Sequence, residues 1–129
     1  MFGQKPKTPI DTLIGACTCV EGNIRVKGGV RIDGRVTGDV IAEPEAGGLL
    51  IISESARIEG AVRGAHVVVN GEIVGPVHST ELLELQPNAR ITGDVTYKAL
   101  EMHGGAVVNG RLTPQQAPET VLKLAAAST

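Results

Sequence analysis

A five-residue pattern, apolar-x-Gly-x-apolar, is written six times along this chain, and self-similarity on that scale leaves few architectures open. The copies are Val20-Glu21-Gly22-Asn23-Ile24, Ile32-Asp33-Gly34-Arg35-Val36, Ile58-Glu59-Gly60-Ala61-Val62, Val69-Asn70-Gly71-Glu72-Ile73, Ile91-Thr92-Gly93-Asp94-Val95 and Val108-Asn109-Gly110-Arg111-Leu112. One longer stretch, IDGRVTGDV at 32–40, returns as VNGEIVGPV at 69–77. A unit this small cannot bury its own apolar side, so it must stack on its neighbours to make a continuous core.

The period inside each unit is two. Between Val20 and Val40 the apolar residues Val20, Ile24, Val26, Val30, Ile32, Val36 and Val40 share one parity, and Gly22, Gly28, Gly34 and Gly38 fill the gaps in it. The other parity carries Glu21, Asn23, Arg25, Lys27, Arg31, Asp33, Arg35, Thr37 and Asp39. One side of the strand is dry and the other wet. The alternation passes through the glycines without resetting, which separate hairpins would not allow. The glycines are therefore expected on the inward side, letting short strands bend at each corner of a coil. Longer excursions at Glu43–Gly48 and Leu85–Asn88 are expected to bulge outward. The whole predicts an all-β, single-domain parallel β-helix of about six rungs of roughly 17 residues, with a rod core ~30 Å long.

Composition agrees with a narrow coil. The chain is 42% hydrophobic but only 2% aromatic, so the interior must be built from Val, Ile, Leu and Ala. The formal net charge of −2 argues against nucleic acid, which wants a basic excess. No Gly-rich phosphate loop of either common type occurs, so no nucleotide cofactor is expected. No apolar run approaches the ~20 residues of a membrane span, and no secretory core follows the start. A cytoplasmic protein is expected, and Cys17 and Cys19 fit a reducing compartment.

Three segments follow: a flexible N-terminal tail over 1–12, a β-helix over 13–112, and a flexible Pro- and Ala-rich C-terminal tail over 113–129. The ends of the helix are the informative part. A terminal rung lacks one neighbour, and soluble solenoids close it with an amphipathic helix or a polar rung. Neither is evident here. The tail runs straight into Leu13-Ile14, and the last rung stops at Pro114. End-to-end stacking into filaments is the expectation, with Leu13, Ile14 and Val20 at one end and Val107, Val108 and Leu112 at the other. Tails folded over the ends, keeping the protein monomeric, are the simpler competing picture, and a monomeric binding module using its flat sheet faces is a further one.

The segments TLIGACTCVEGNIRVKGGVRIDGRVTGDVIA and SESARIEGAVRGAHVVVNGEIVGPVHSTELLELQPNARITGDV, with Ser53-Glu54-Ser55 and the closing Val108-Asn109-Gly110, resemble the bactofilins, bacterial cytoskeletal proteins. The resemblance covers roughly residues 12 to 112 and implies a right-handed triangular β-helix. It also implies nucleotide-free assembly into non-polar filaments that scaffold cell-envelope or cell-shape machinery, with cell-wall-related client proteins as partners. The start, MFGQKPK, is similar to that family's membrane-contact segment. Met1 and Phe2 would enter the lipid interface and Lys5 and Lys7 would face anionic headgroups on the inner side of the cytoplasmic membrane. Phe2 would supply ~1.5–3 kcal/mol and each lysine ~1 kcal/mol, weak singly but multiplied along a filament. One departure is notable. Many members carry an aromatic near the last rung, whereas residues 98–129 hold no Phe, Tyr or Trp, so the end contact must be aliphatic.

Coiled β-proteins are also enzymes, and a trimeric acyltransferase of the hexapeptide type is the rival reading. It requires a strict six-residue apolar phase and a catalytic His at a subunit groove. Ile24, Val30 and Val36 keep that phase, as do Val62, Val68 and Val74, but it fails at Ala42 and again at Leu85 and Gln86. His66, His78 and His103 stand apart from any partner that would tune them, so no catalytic residue is assigned. Cys17-Thr18-Cys19 offers two sulfurs where zinc wants four ligands, so no metal is assigned.

Overall fold

The structure, a computed structural model, describes residues 10–43 and 47–114. Residues 1–9 and 115–129, which hold most of both expected tails, lie outside the described residues, as does the middle of the 43–48 excursion. The described chain is all strand and turn: sixteen short strands paired in parallel. They form three walls of a solenoid, and each turn of chain contributes one strand to each wall.

The first wall stacks β1 (Ile10–Ile14), β4 (Gly29–Ile32), β7 (Leu49–Ile52), the second half of β9 (Val62–Val69), the second half of β11 (Val77–Leu85) and β14 (Ala99–Met102). The second wall is a six-stranded sheet of β2 (Cys19–Glu21), β5 (Arg35–Thr37), β8 (Arg57–Glu59), β10 (Glu72–Val74), β12 (Arg90–Thr92) and β15 (Val107–Asn109). The third stacks β3 (Ile24–Val26), β6 (Val40–Ala42), the first halves of β9 and β11, β13 (Val95–Tyr97) and β16 (Leu112–Pro114). Six rungs result, as the repeat predicts. The expected limits at residues 13 and 112 fall inside β1 and β16.

Register turns the repeat into vertical columns. Inward side chains stack as Ile14, Ile32, Ile52, Val69, Leu85 and Met102 on the first wall. On the second they stack as Val20, Val36, Ile58, Ile73, Ile91 and Val108. On the third the column is Ile24, Val40, Val62, Val77, Val95 and Leu112. In the inner four rungs these side chains are all but fully buried. Branched aliphatics stacked on their own kind fill a thin interior without rings. Tyr97, the single tyrosine, packs against the C-terminal end of this core.

Corners differ in kind. Between the first and second walls the chain makes a tight turn, with Thr18, Ala56, Ala89 and Ala106 donating their amides to Gly15, Ser53, Gln86 and His103 at 3.0, 2.9, 3.0 and 3.2 Å. Leu85 therefore does not open an outward bulge, as its Leu-Gln-Pro-Asn context suggests: it is a fully buried core residue, and the turn after it matches its neighbours. Strands β9 and β11 pass unbroken around the corner from the third wall into the first. There the buried Ser79 hydroxyl lies 2.9 Å from the carbonyl of Ala65 and 2.8 Å from that of Leu82.

At the corner between the second and third walls, Gly22, Gly38, Gly60, Gly75, Gly93 and Gly110 form a column with positive φ. The role expected for them, relief of crowding inside the coil, is not the operative one. A Cβ on Gly38 would lie 2.2 Å from the carbonyl oxygen of Gly22, and the same relation repeats up the column. The missing side chain points along the solenoid axis, into the rung before it.

Candidate assembly interface

Each inner rung covers the apolar side chains of the next, so the last side chain in every column shows what one more rung would cover. Val36 and Ile58 are fully buried while Val20, their column mate on the first rung, is partly open. At the other end Val95 is fully buried and Leu112, stacked on it, is 39% exposed. Leu85 and Met102 stand in the same relation, at 0% and 46%. Nothing among the described residues closes either end: no helix is present, and both terminal rungs present the free side of a parallel ladder. Unpaired backbone groups beside open aliphatic core make an edge that favours a further strand.

The glycine column ends in the same way. A Cβ on Gly60 or Gly75 would meet a carbonyl oxygen at 2.2 Å, whereas Gly22, with φ +131°, has nothing within 4 Å of that position. Among the described residues nothing fills, at the first rung, the slot that holds a backbone carbonyl in the interior.

The six end residues expected from sequence divide into two groups at opposite ends, with four rungs between them. Ile14, Val20, Val108 and Leu112 face inward and terminate core columns. Leu13 and Val107 face outward instead: Leu13 is in register with Arg31 and Val107 with Arg90. Both are well exposed, at 64% and 45%, so they would extend an end contact over the outside of the wall and not through the core. Sequence reading missed Ile24, Val26, Leu100 and Met102, which also end core columns. The strict alternation of Ile24-Arg25-Val26 carried the signal. Met1, Phe2, Lys5 and Lys7 lie outside the described residues.

Polar groups on the outside pin rungs together. Asp33 accepts from the Ser53 hydroxyl and from Arg31 Nε, and those bonds, the serine's foremost, hold its carboxyl below the usual carboxylate range. Arg57 bridges Glu59 at 2.9 Å and Glu72 at 2.7 Å, which raises an already high guanidinium value further. The side-chain carbonyl of Asn23 takes the amide of Asp39 at 2.9 Å, and the Asp39 carboxylate takes that of Ala61 at 2.9 Å. Apart from those of Arg31 with Asp33 and Arg57 with Glu59, which lie within one rung, these bonds run from rung to rung, and together they gather no reactive constellation.

The three histidines and two cysteines are dispersed. His66 lies on the first wall between Leu49 and Leu82, with its Nε2 buried and unpartnered. His78 is on the third wall beside Arg63, where burial, with the arginine's charge adding to it, lowers its pKa. His103 Nε2 is 3.8 Å from Glu84 Oε2 at an exposed corner. Cys17 and Cys19 are exposed on the first rung. Among the described residues no three His, Cys, Asp or Glu side chains are grouped to hold a metal ion, and no helix is long and apolar enough to cross a membrane.

Over the described residues the fold is a parallel β-solenoid with an aliphatic core and partly uncovered end rungs, which places the chain in the class of β-helical proteins. The family model described as Bactofilin, polymer-forming cytoskeletal, matches residues 12–113, and the chain belongs to that family. It is 26% identical to bactofilin BacP of Myxococcus xanthus (strain DK1622) over 102 residues, a match covering 79% of this chain and 41% of BacP. It is 23% identical to bactofilin BacO of the same organism over 115 residues, covering 83% of this chain and 91% of BacO. The chain thus spans about two fifths of the length of BacP. No solved structure gives a significant match.

Proposed function

We propose that this chain is a scaffold that assembles end to end, without nucleotide, into filaments through its first and last rungs. The observation that carries the reading is the loss of cover at the ends of the core columns, Ile14 at 8% excepted, seen most directly in Leu112, 39% exposed above the fully buried Val95. Burying such side chains yields about 25 cal/mol per Å² of apolar surface, and the new rung pairs the free backbone groups as well. By family likeness the filaments are non-polar, lie on the inner face of the cytoplasmic membrane through Met1, Phe2, Lys5 and Lys7, and organise cell-envelope or cell-shape machinery with cell-wall-related clients. An acyltransferase-like enzyme is the weaker alternative, since His66, His78 and His103 serve no common site.

One observation favours a second arrangement of the same filament. The empty slot at Gly22 accepts a carbonyl from a preceding rung, and Gly110 on the last rung carries the carbonyl that would fill it in a head-to-tail stack. Leu112→Arg separates the two. Non-polar filaments would collapse to dimers joined through their first rungs, and head-to-tail filaments to monomers, by sedimentation velocity.

Electron microscopy of purified protein without nucleotide, at micromolar concentration and physiological salt, tests the main reading. Filaments are expected; compact monomers alone would overturn it. Flotation with anionic liposomes, with and without residues 1–7, tests the membrane contact, and loss of flotation on deletion is the expected result.

A further inference from the structure

The outward side of the first wall is unlike the other two. Arg57, Glu59, Glu72 and Arg90 cover the second wall, and Arg63 and His78 stand on the third. The first wall has an uncharged centre. One outward column reads, from first rung to last, Leu13, Arg31, Ile51, Val68, Glu84 and Glu101. The column beside it reads Ile10, Gly29, Leu49, His66, Leu82 and Ala99, of which Leu49 is itself buried, at 8% exposure, and adds little to the face. Positive charge sits below the apolar middle and negative charge above it.

The arrangement is symmetric about the midpoint of the solenoid. A two-fold axis running along the strands, between the third and fourth rungs, exchanges the second rung with the fifth and the third with the fourth. Arg31 then meets Glu84, Ile51 meets Val68, and Leu82 meets Gly29, where no side chain stands in its way. Of these pairs one is opposite in charge and two are uncharged, with a large side chain facing glycine in one of them; the same axis sets Leu49 opposite His66 and, on the end rungs, Ile10 opposite Ala99 and Leu13 opposite Glu101. A parallel face-to-face arrangement keeps each rung opposite itself and sets Glu84 against Leu82, so that Arg31, which bonds Asp33 within its own chain, meets no acidic group on the other copy. Both charges are placed to reach outward: the Arg31 side chain is 51% exposed, and Glu84 keeps 24% of its own surface.

We propose that the first wall is a self-complementary lateral interface, on which a second copy of this chain packs face to face and antiparallel, with Arg31 of each copy against Glu84 of the other. An isologous contact of this kind closes on itself, so it joins two rods side by side and leaves their ends free. Along a filament the same contact recurs at each subunit, and a weak single contact becomes a firm lateral one.

Charge reversal tests this without disturbing the core. Within one chain Arg31 and Glu84 are three rungs, ~14 Å, apart, so neither acts on the other directly. Filaments of Arg31→Glu and of Glu84→Arg, assembled separately, should each keep their length but lose lateral pairing by about tenfold or more in negative-stain images. On mixing the two preparations, pairs should return, each joining one filament of either kind, because both contacts are then opposite in charge. The double variant should pair with itself. Far-UV circular dichroism should match the unaltered chain throughout. If no filaments form, the same variants are read as dimer against monomer by sedimentation velocity, so a failure of end-to-end assembly remains distinct. Pairing that survives both single reversals, a mixture that does not restore it, or pairing that appears only after residues 1–9 are removed would each overturn the proposal.

Discussion

The carbonyl oxygen of Gly38 lies 2.2 Å from the position a Cβ would occupy on Gly60. Backbone stands there, not the end of a flexible side chain, so the neighbouring rung cannot yield. Gly60→Ala should fail to fold, seen as loss of the β signal and an insoluble product. Gly22→Ala has open space at the same point and carries only the strain of φ +131°, ~1–3 kcal/mol. It should fold as a subunit and still assemble poorly, by circular dichroism and by pelleting.

Leu112 and Val107 distinguish core stacking from contact over the outside. Leu112→Arg puts a charge in the open mouth of the core and should abolish long filaments while the β signal stays intact. Val107→Arg changes an outward residue beside Arg90 and should shorten filaments less. Equal effects, by length distribution in electron micrographs, would mean the junction is not centred on the core.

Ile73 is fully buried in the fourth rung and touched by rungs on both sides. Ile73→Ala should cost ~2–5 kcal/mol and lower the melting temperature by about 10 °C or more. Leu100→Ala, on the last rung, should cost less in the isolated subunit and gain importance on assembly. Thermal melts at two protein concentrations give both values.

His78 gives stability a pH dependence with a defined sign. Burial, aided by Arg63, holds its folded pKa below the ordinary imidazole value of about 6.5. The folded state therefore prefers the neutral ring, and its contribution is complete above 6.5 and lost as pH falls from there toward the lowered folded value. The melting temperature should decline over that window, and His78→Gln should remove that part of the slope.

The coil was legible because parity is a local property: Val30, Ile32, Val36 and Val40 alternate with charged residues, and all four are fully buried. Parity fails where neighbours are alike. In Ala106-Val107-Val108 only the register with Arg90 and Ile91 shows that Val107 faces out. The runs Leu49-Leu50-Ile51-Ile52 and Val67-Val68-Val69 likewise read as core, whereas Ile51 and Val68 stand outside. An apolar run without alternation inside an alternating chain was the available sign of a wall covered on both faces. The axial direction of the glycines was not legible, because it depends on contact between rungs and not on order within one.

Tyr97 sits directly below the final strand, opposite Pro114, in a chain with one tyrosine and no tryptophan. Its phenol is thus the sole strong ultraviolet emitter, lodged just beneath the surface where a second subunit would land. Growth at that tip can be followed through native emission and anisotropy, with no label attached.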